Sequence, residues 1–169
     1  MLYFIVLISV IPTVNCDCWR SRSRSPSGGR WGYYGGVDAI DFQTNGSVSL
    51  QGYRLWGVKS LSSATFQVTI SLYQGGSLIA EKTGSYFTRS SDQTFKVYFS
   101  QEIPIRAGLS YTATAKITTS AYSFKLSDGI NSASCSGITV SFKSSSKDIN
   151  GSGMSRGQIP ALIFRAQKC

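Results

Sequence analysis

Between Thr65 and Tyr73 the chain reads TFQVTISLY, in which Phe66, Val68, Ile70 and Leu72 alternate with Gln67, Thr69 and Ser71. A period of two sends successive side chains to opposite faces of an extended strand, so this segment is expected to bury one face and wet the other. A helix would scatter the same four apolar residues around its axis. Equivalent alternation places Phe95, Val97 and Phe99 inward with Lys96 and Tyr98 outward, and Tyr111, Ala113, Ala115 and Ile117 inward. Further strand-like runs cover 39–43, 47–58, 77–87, 138–143 and 158–165. Turn-forming residues such as Gly75-Gly76, Ser90-Ser91-Asp92 and Ala107-Gly108 separate these runs. β-branched and aromatic residues dominate from Val37 onward, and no long stretch shows helical periodicity. The expected fold is all-β, an antiparallel β-sandwich of two packed sheets, with a closed barrel as the competing architecture.

The first fifteen residues, MLYFIVLISVIPTVN, carry no charged side chain and are mostly apolar. They are too few for a membrane-spanning helix of about 20 residues. With Val14 and Cys16 as small residues before the cut, they fit a signal peptide over 1–16. A basic Arg/Ser leader follows over 17–36 and a single sandwich domain over 37–169. This organisation predicts a secreted, extracellular protein with no membrane span after signal removal. The net charge is +9, with Arg20, Arg22, Arg24 and Arg30 gathered in RSRSRSPSGGR and the other basic residues scattered. Ser, Pro and Gly interrupt these charges, so the segment reads as a solvated flexible leader. The competing role is an electrostatic arm for acidic glycans or anionic surfaces; nucleic acid is not the expected partner.

Cys18, Cys135 and Cys169 are disulfide candidates in an oxidising compartment. Cleavage after Cys16 leaves an odd count, whereas earlier cleavage leaves four cysteines and room for two bridges. A clasp between Cys18 and Cys169 is one arrangement, since domain termini often lie close in space. Asn45-Gly46-Ser47 and Asn150-Gly151-Ser152 are glycosylation sequons, Asn45 and Asn150 being the acceptors, although Asn-Gly is equally a turn signature.

The chain has no histidine, which removes the commonest general base, the Ser-His-Asp arrangement and the His-containing zinc sets. Asp38 and Asp41 are three residues apart, hence on opposite faces of a strand, and make a poor glycosidase pair; turn and surface roles are expected for them. Asp128 and Asp148 lack the clustered spacing of a calcium loop. No catalytic residue, metal or cofactor is expected. Trp19, Trp31, Tyr33, Tyr34 and Trp56 could stack on sugars, but packing in the core or at a sheet edge is the expected role for most of them.

The line VDAIDFQTNGSVSLQGYRLWGV over 37–58, followed by GQIPALIF over 157–164, resembles the PHR domain of Highwire-type ubiquitin ligases and BTB-domain adaptor proteins. The likeness runs over about 31–165 and includes the G-x-S-Y-x-A segment at 108–113 and the strand ITVSFK. It implies a sandwich of roughly ten antiparallel strands with a protein-binding role and no catalytic centre. Asp38, Ile40 and Phe42 match the opening strand, Gly52 and Gly57 its turn glycines, and Gly157, Gln158, Ile159 and Pro160 the closing loop.

The expected function is therefore that of a non-enzymatic module binding a protein or glycan through loops at one end of the sandwich. The candidate loops are 57–64, 87–92, 126–136 and 144–156, with Ser127, Asp128, Asn131, Arg156, Gly157 and Gln158 as candidate contact residues. A structural matrix or surface-coat protein cross-linked by disulfides is the alternative.

Overall fold

The computed structural model describes residues 12–167, so most of the proposed signal segment and Cys169 lie outside the described residues. Ten strands follow in order: β1 (Thr13–Trp19), β2 (Val37–Thr44), β3 (Val48–Trp56), β4 (Ser63–Gln74), β5 (Ser77–Arg89), β6 (Thr94–Ile105), β7 (Tyr111–Thr118), β8 (Ser132–Cys135), β9 (Ile138–Ser144) and β10 (Ala161–Gln167). They form a four-stranded sheet in the order β1-β10-β3-β6 and a six-stranded sheet in the order β5-β4-β7-β2-β9-β8. Every pairing is antiparallel. This is the expected sandwich. No helix among the described residues is long and apolar enough to cross a membrane.

The core lies between the sheets and follows the period-two pattern. Phe66, Val68, Ile70 and Leu72 of β4, and Ala113, Ala115 and Ile117 of β7, are fully buried beside Ile40 and Phe42 of β2. The facing sheet contributes Leu50, Tyr53, Leu55, Val97, Leu162 and Phe164. Leu50 and the Tyr53–Leu55 pair differ in parity along β3, yet both face inward because the β3–β6 register shifts between Leu50 and Gly52. Glycine is required at that irregularity: a Cβ on Gly52 would lie 2.1 Å from the Val97 carbonyl oxygen. Ser71, expected on the wet face, is instead buried; its hydroxyl donates to Glu81 at 2.9 Å and its carbonyl accepts the Tyr53 hydroxyl at 2.8 Å.

Two strands lie outside the strand-like runs read from the sequence. β8 is the four-residue Ser-Ala-Ser-Cys, which carries no apolar run. β1 straddles the boundary drawn between signal peptide and leader, and pairs with β10 from Thr13↔Gln167 to Trp19↔Ala161. The segment read as a solvated leader also packs against the domain. Arg20 and Ser21 are buried. The Arg22 N–H donates to the Asp128 carbonyl, that of Ser27 to Lys125 and that of Trp31 to Ser123. The interrupted charges suggested solvation, but serine and glycine backbone groups are equally able to form ladder-like bonds once a second loop lies beside them.

Antiparallel order divides the connections between two ends, the short 90–93 turn lying with the long segments. The short turns 45–47, 75–76, 106–110 and 136–137 share one end, where the Gly108 N–H donates to Thr44 and that of Asn45 to Thr139. The longer segments 20–36, 57–62, 119–131 and 145–160 meet at the other.

Candidate functional site

The long-loop end is built on a buried polar frame. Gln158 is fully buried where β3 ends. Its side-chain carbonyl accepts the Trp56 N–H, and its amide donates to the Tyr33 hydroxyl, to Ser123 Oγ at 3.2 Å and to the Trp56 carbonyl at 3.3 Å. The Tyr33 hydroxyl in turn donates to Ser123 Oγ at 2.6 Å. A glutamine offers both donors and an acceptor, so one side chain ties two separate loops to the end of β3. Burial drives the Tyr33 phenol above its ordinary pKa, keeping it a neutral hydrogen-bonding group.

A second cluster anchors the 145–160 segment. Asp38 of β2 is buried; Trp31 Nε1 donates to its Oδ1 at 3.0 Å and Asn150 Nδ2 to its Oδ2 at 2.9 Å. Desolvation pushes the Asp38 carboxyl up to about 7, against the pull of the Asn150 hydrogen bond. Asp38 is thus neither a turn residue nor an exposed strand position, and corrects that expectation; Asp41 is half-buried and accepts the Thr112 hydroxyl at 2.6 Å. Arg20 crosses beneath the same segment, donating from Nε to the Ile159 carbonyl at 3.1 Å and from Nη1 to Gly153 at 2.7 Å and to Met154. Burial lowers its pKa to about 10, opposed by the nearby charges of Asp38 and Asp148.

These networks reassign several candidate residues. Gln158 and Gly157 are buried and serve the frame rather than a contact surface. Gly157 has φ +119, and a Cβ there would sit 2.3 Å from that of Ser152. Asp128 is half-buried, accepting Ser21 Oγ at 2.8 Å and the Ser23 N–H at 2.7 Å. Its partial burial alone would raise its pKa, but the bonds from Ser23 and Ser21 hold it below its ordinary value. Ser127, Asn131 and Arg156 are exposed. Asn150 already uses its amide nitrogen on Asp38 and on the Gly32 carbonyl at 3.1 Å, the nitrogen that a glycan would occupy. Asn45 lies exposed in the β2–β3 turn, its Oδ1 accepting the Thr139 N–H at 2.8 Å. Trp56 and Tyr33 belong to the buried interior.

What the frame presents outward is aromatic and basic. Tyr34 is 89% exposed and holds φ at +39, a left-handed conformation uncommon for a bulky side chain. The Gly36 N–H bond to the Tyr33 carbonyl and the positive φ of Gly35 define the tight turn that carries it. Its hydroxyl lies 2.9 Å from that of Tyr122, and the Arg30 guanidinium stands 6.0 Å from the centre of the Tyr122 ring. Together with Gly32, Ile117 and residues 118–121, the two tyrosines line a groove of about 230 Å³. Arg22, Arg24, Arg89 and Arg156 are also exposed, and the Lys59 ammonium lies 5.5 Å from the Phe124 ring centre. Tyr34 stood among the aromatics singled out from the sequence. Tyr122 did not, because AYSF carries no periodicity or motif.

Among the described residues, no group of three or more His, Cys, Asp or Glu side chains is placed to hold a metal ion. The fold and its loop end define an antiparallel β-sandwich whose long loops are tied together by a buried polar frame. The PHR domain family model matches residues 21–165, and the chain belongs to that family. It is 33% identical over 149 residues to BTB/POZ domain-containing protein 3 of Mus musculus, covering 88% of this chain and 28% of that protein. Against BTB/POZ domain-containing protein 6-A of Danio rerio it is 32% identical over 149 residues, covering 88% of this chain and 27% of the relative. The chain thus spans under a third of the length of these relatives.

Proposed function

We propose that the domain is a protein-binding module whose long-loop end, centred on Tyr34, Tyr122 and Arg30, receives an acidic and partly apolar segment of a partner protein. The observation that carries this reading is Tyr34, a nearly fully exposed aromatic held in left-handed backbone at the rim of a groove. Strained conformations of this kind cost of order 1–3 kcal/mol and persist where surrounding structure enforces them, often at contact sites. Tyrosine and arginine are enriched among residues that dominate binding energy, and the exposed arginines favour an acidic partner.

Tyr34→Ala combined with Tyr122→Ala is expected to weaken binding of the partner recovered from cell surfaces by at least about tenfold, while thermal unfolding stays unchanged. Surface plasmon resonance at two salt concentrations reads it. Full binding by this variant, lost instead on changing Lys96 and Tyr98 of the outer sheet face, would move the site elsewhere. Complete displacement by a sulfated polysaccharide with no protein captured would identify a glycan partner instead.

The same proposal places the domain outside the cell, supported by the uncharged apolar run of the first fifteen residues. Cleavage after Cys16 would remove Thr13–Cys16 from β1, whereas cleavage ahead of Thr13 leaves the strand whole. N-terminal sequencing of exported protein is expected to find a start after Met1 and no later than Thr13; a start at Asp17, or at Met1, would overturn it.

A further inference from the structure

A two-sheet sandwich has two long open sides. On one, β5 and β6 are the adjoining sheet edges, and residues 90–93 connect them directly. On the other, the edges are β1 and β8, which lie in contact but far apart along the chain. Cys16 and Cys18 stand opposite the core residues Phe164 and Leu162 in the β1–β10 register, hence on the inward face of β1. Across the gap, Ala133 and Cys135 of β8 pack against the core while Ser132 and Ser134 are exposed. The Cys18 thiol donates to the Ala133 carbonyl at 3.9 Å; one inward position further along each of these touching, oppositely running edge strands stand Cys16 and Cys135, close enough for each thiol to shift the ionisation of the other. Cys18 is fully buried, whereas Cys16 and Cys135 are only partly so, which leaves that pair within reach of a small solute.

We propose that Cys16 and Cys135 are a disulfide-forming pair that fastens the open side of the sandwich, joining the edge strand of one sheet to the edge strand of the other. The oxidant is a low-molecular-weight disulfide, RSSR. The Cys135 thiolate attacks one sulfur of RSSR, forming a mixed disulfide and releasing one thiolate RS⁻. The Cys16 thiolate then attacks the Cys135 sulfur and displaces the second RS⁻. Two protein thiols are oxidised, one RSSR is reduced to two RSH, and the two protein protons end on the released thiolates. For Cys16 the hydrogen bond with Cys135, and then burial, raise the thiol pKa. For Cys135 the bond with Cys16 lowers it but is outweighed by the bond with Cys18 and by burial, which bring it to about 12. The reactive species is the thiolate, so closure is slow near neutral pH and accelerates by about tenfold per pH unit below that value.

The proposal does not depend on what docks at the long-loop end. The full chain, purified reduced, is incubated with oxidised glutathione at neutral and alkaline pH, then digested without reduction and mapped by mass spectrometry. The expected product is a Cys16–Cys135 cross-linked peptide pair, formed faster at alkaline pH and also in Cys18→Ser. Closing so long a loop should raise Tm by about 10 °C, and Cys135→Ser should show no such rise. Linkage of Cys135 to Cys18 or Cys169, disulfide-linked dimers, or glutathione adducts alone would overturn it. The map of the wild-type chain decides the matter even if a variant fails to fold.

Discussion

Arg20→Ala is expected to destabilise the domain by about 3–5 kcal/mol, the cost of stripping one partner from a buried charged network. The side chain is buried and donates to the carbonyls of Ile159, Gly153 and Met154, so truncation orphans acceptors that no longer meet water. Each buried group left without a partner costs about 1–3 kcal/mol. The lost guanidinium also leaves the nearby acidic groups Asp38 and Asp148 without their compensating charge. Arg22, Arg24 and Arg30 belong to the same basic run but are exposed, and replacing all three with serine should change stability by no more than about 0.5 kcal/mol at each position. Urea unfolding of the two variants separates the roles. A midpoint for Arg20→Ala within about 1 kcal/mol of wild type would restore the solvated-leader description of the whole segment.

Phe66→Ala carries the other large effect, about 3–5 kcal/mol from lost transfer energy and the cavity left behind. Phe66 is fully buried on β4 and meets Tyr33 at 6.2 Å and Phe95 at 5.9 Å, both edge-to-face, so one ring joins the long-loop frame to the facing sheet. Phe95 lies on the same inward pattern but is only half-buried, its ring tilted against Tyr86 at 5.7 Å near the β5–β6 side. Phe95→Ala should cost roughly half as much, about 1–2 kcal/mol, because less area leaves water when it folds. Comparable losses for the two variants would mean that Phe95 is sealed more tightly than its exposure indicates.

The contrast between these two phenylalanines marks where sequence reasoning was sufficient. Period two assigned a face to both, and the structure places both facing the core. How deeply each sits depends on neighbouring strands, and TFQVTISLY and TFKVYFS hold no record of that. The same limit applied to β8, whose Ser-Ala-Ser-Cys has no apolar alternation of its own and is a strand because it pairs with β9. β1 was hidden for a different reason: TVNCDCW alternates only weakly and adjoins an apolar run with a stronger reading. At the site, Tyr34 was legible as an aromatic between glycines, whereas Tyr122 acquires its role only by standing beside it.

Gln158 shows the most instructive divergence. Its place in the closing GQIP segment pointed to a loop and hence to contact with a partner, but the side chain is turned inward onto Trp56, 102 positions away in the chain. By itself the sequence determined the all-β class, the inward faces of the central strands and the lack of histidine chemistry, since strand periodicity and residue inventory are local properties. Only the tertiary structure decided that Arg20 is a buried anchor, that Gln158 ties loops together and that the edge strand β1 meets β8. Burial and hydrogen-bond partners come from segments more than 100 residues apart, and a polar side chain has the same composition whether solvent or a second loop lies next to it.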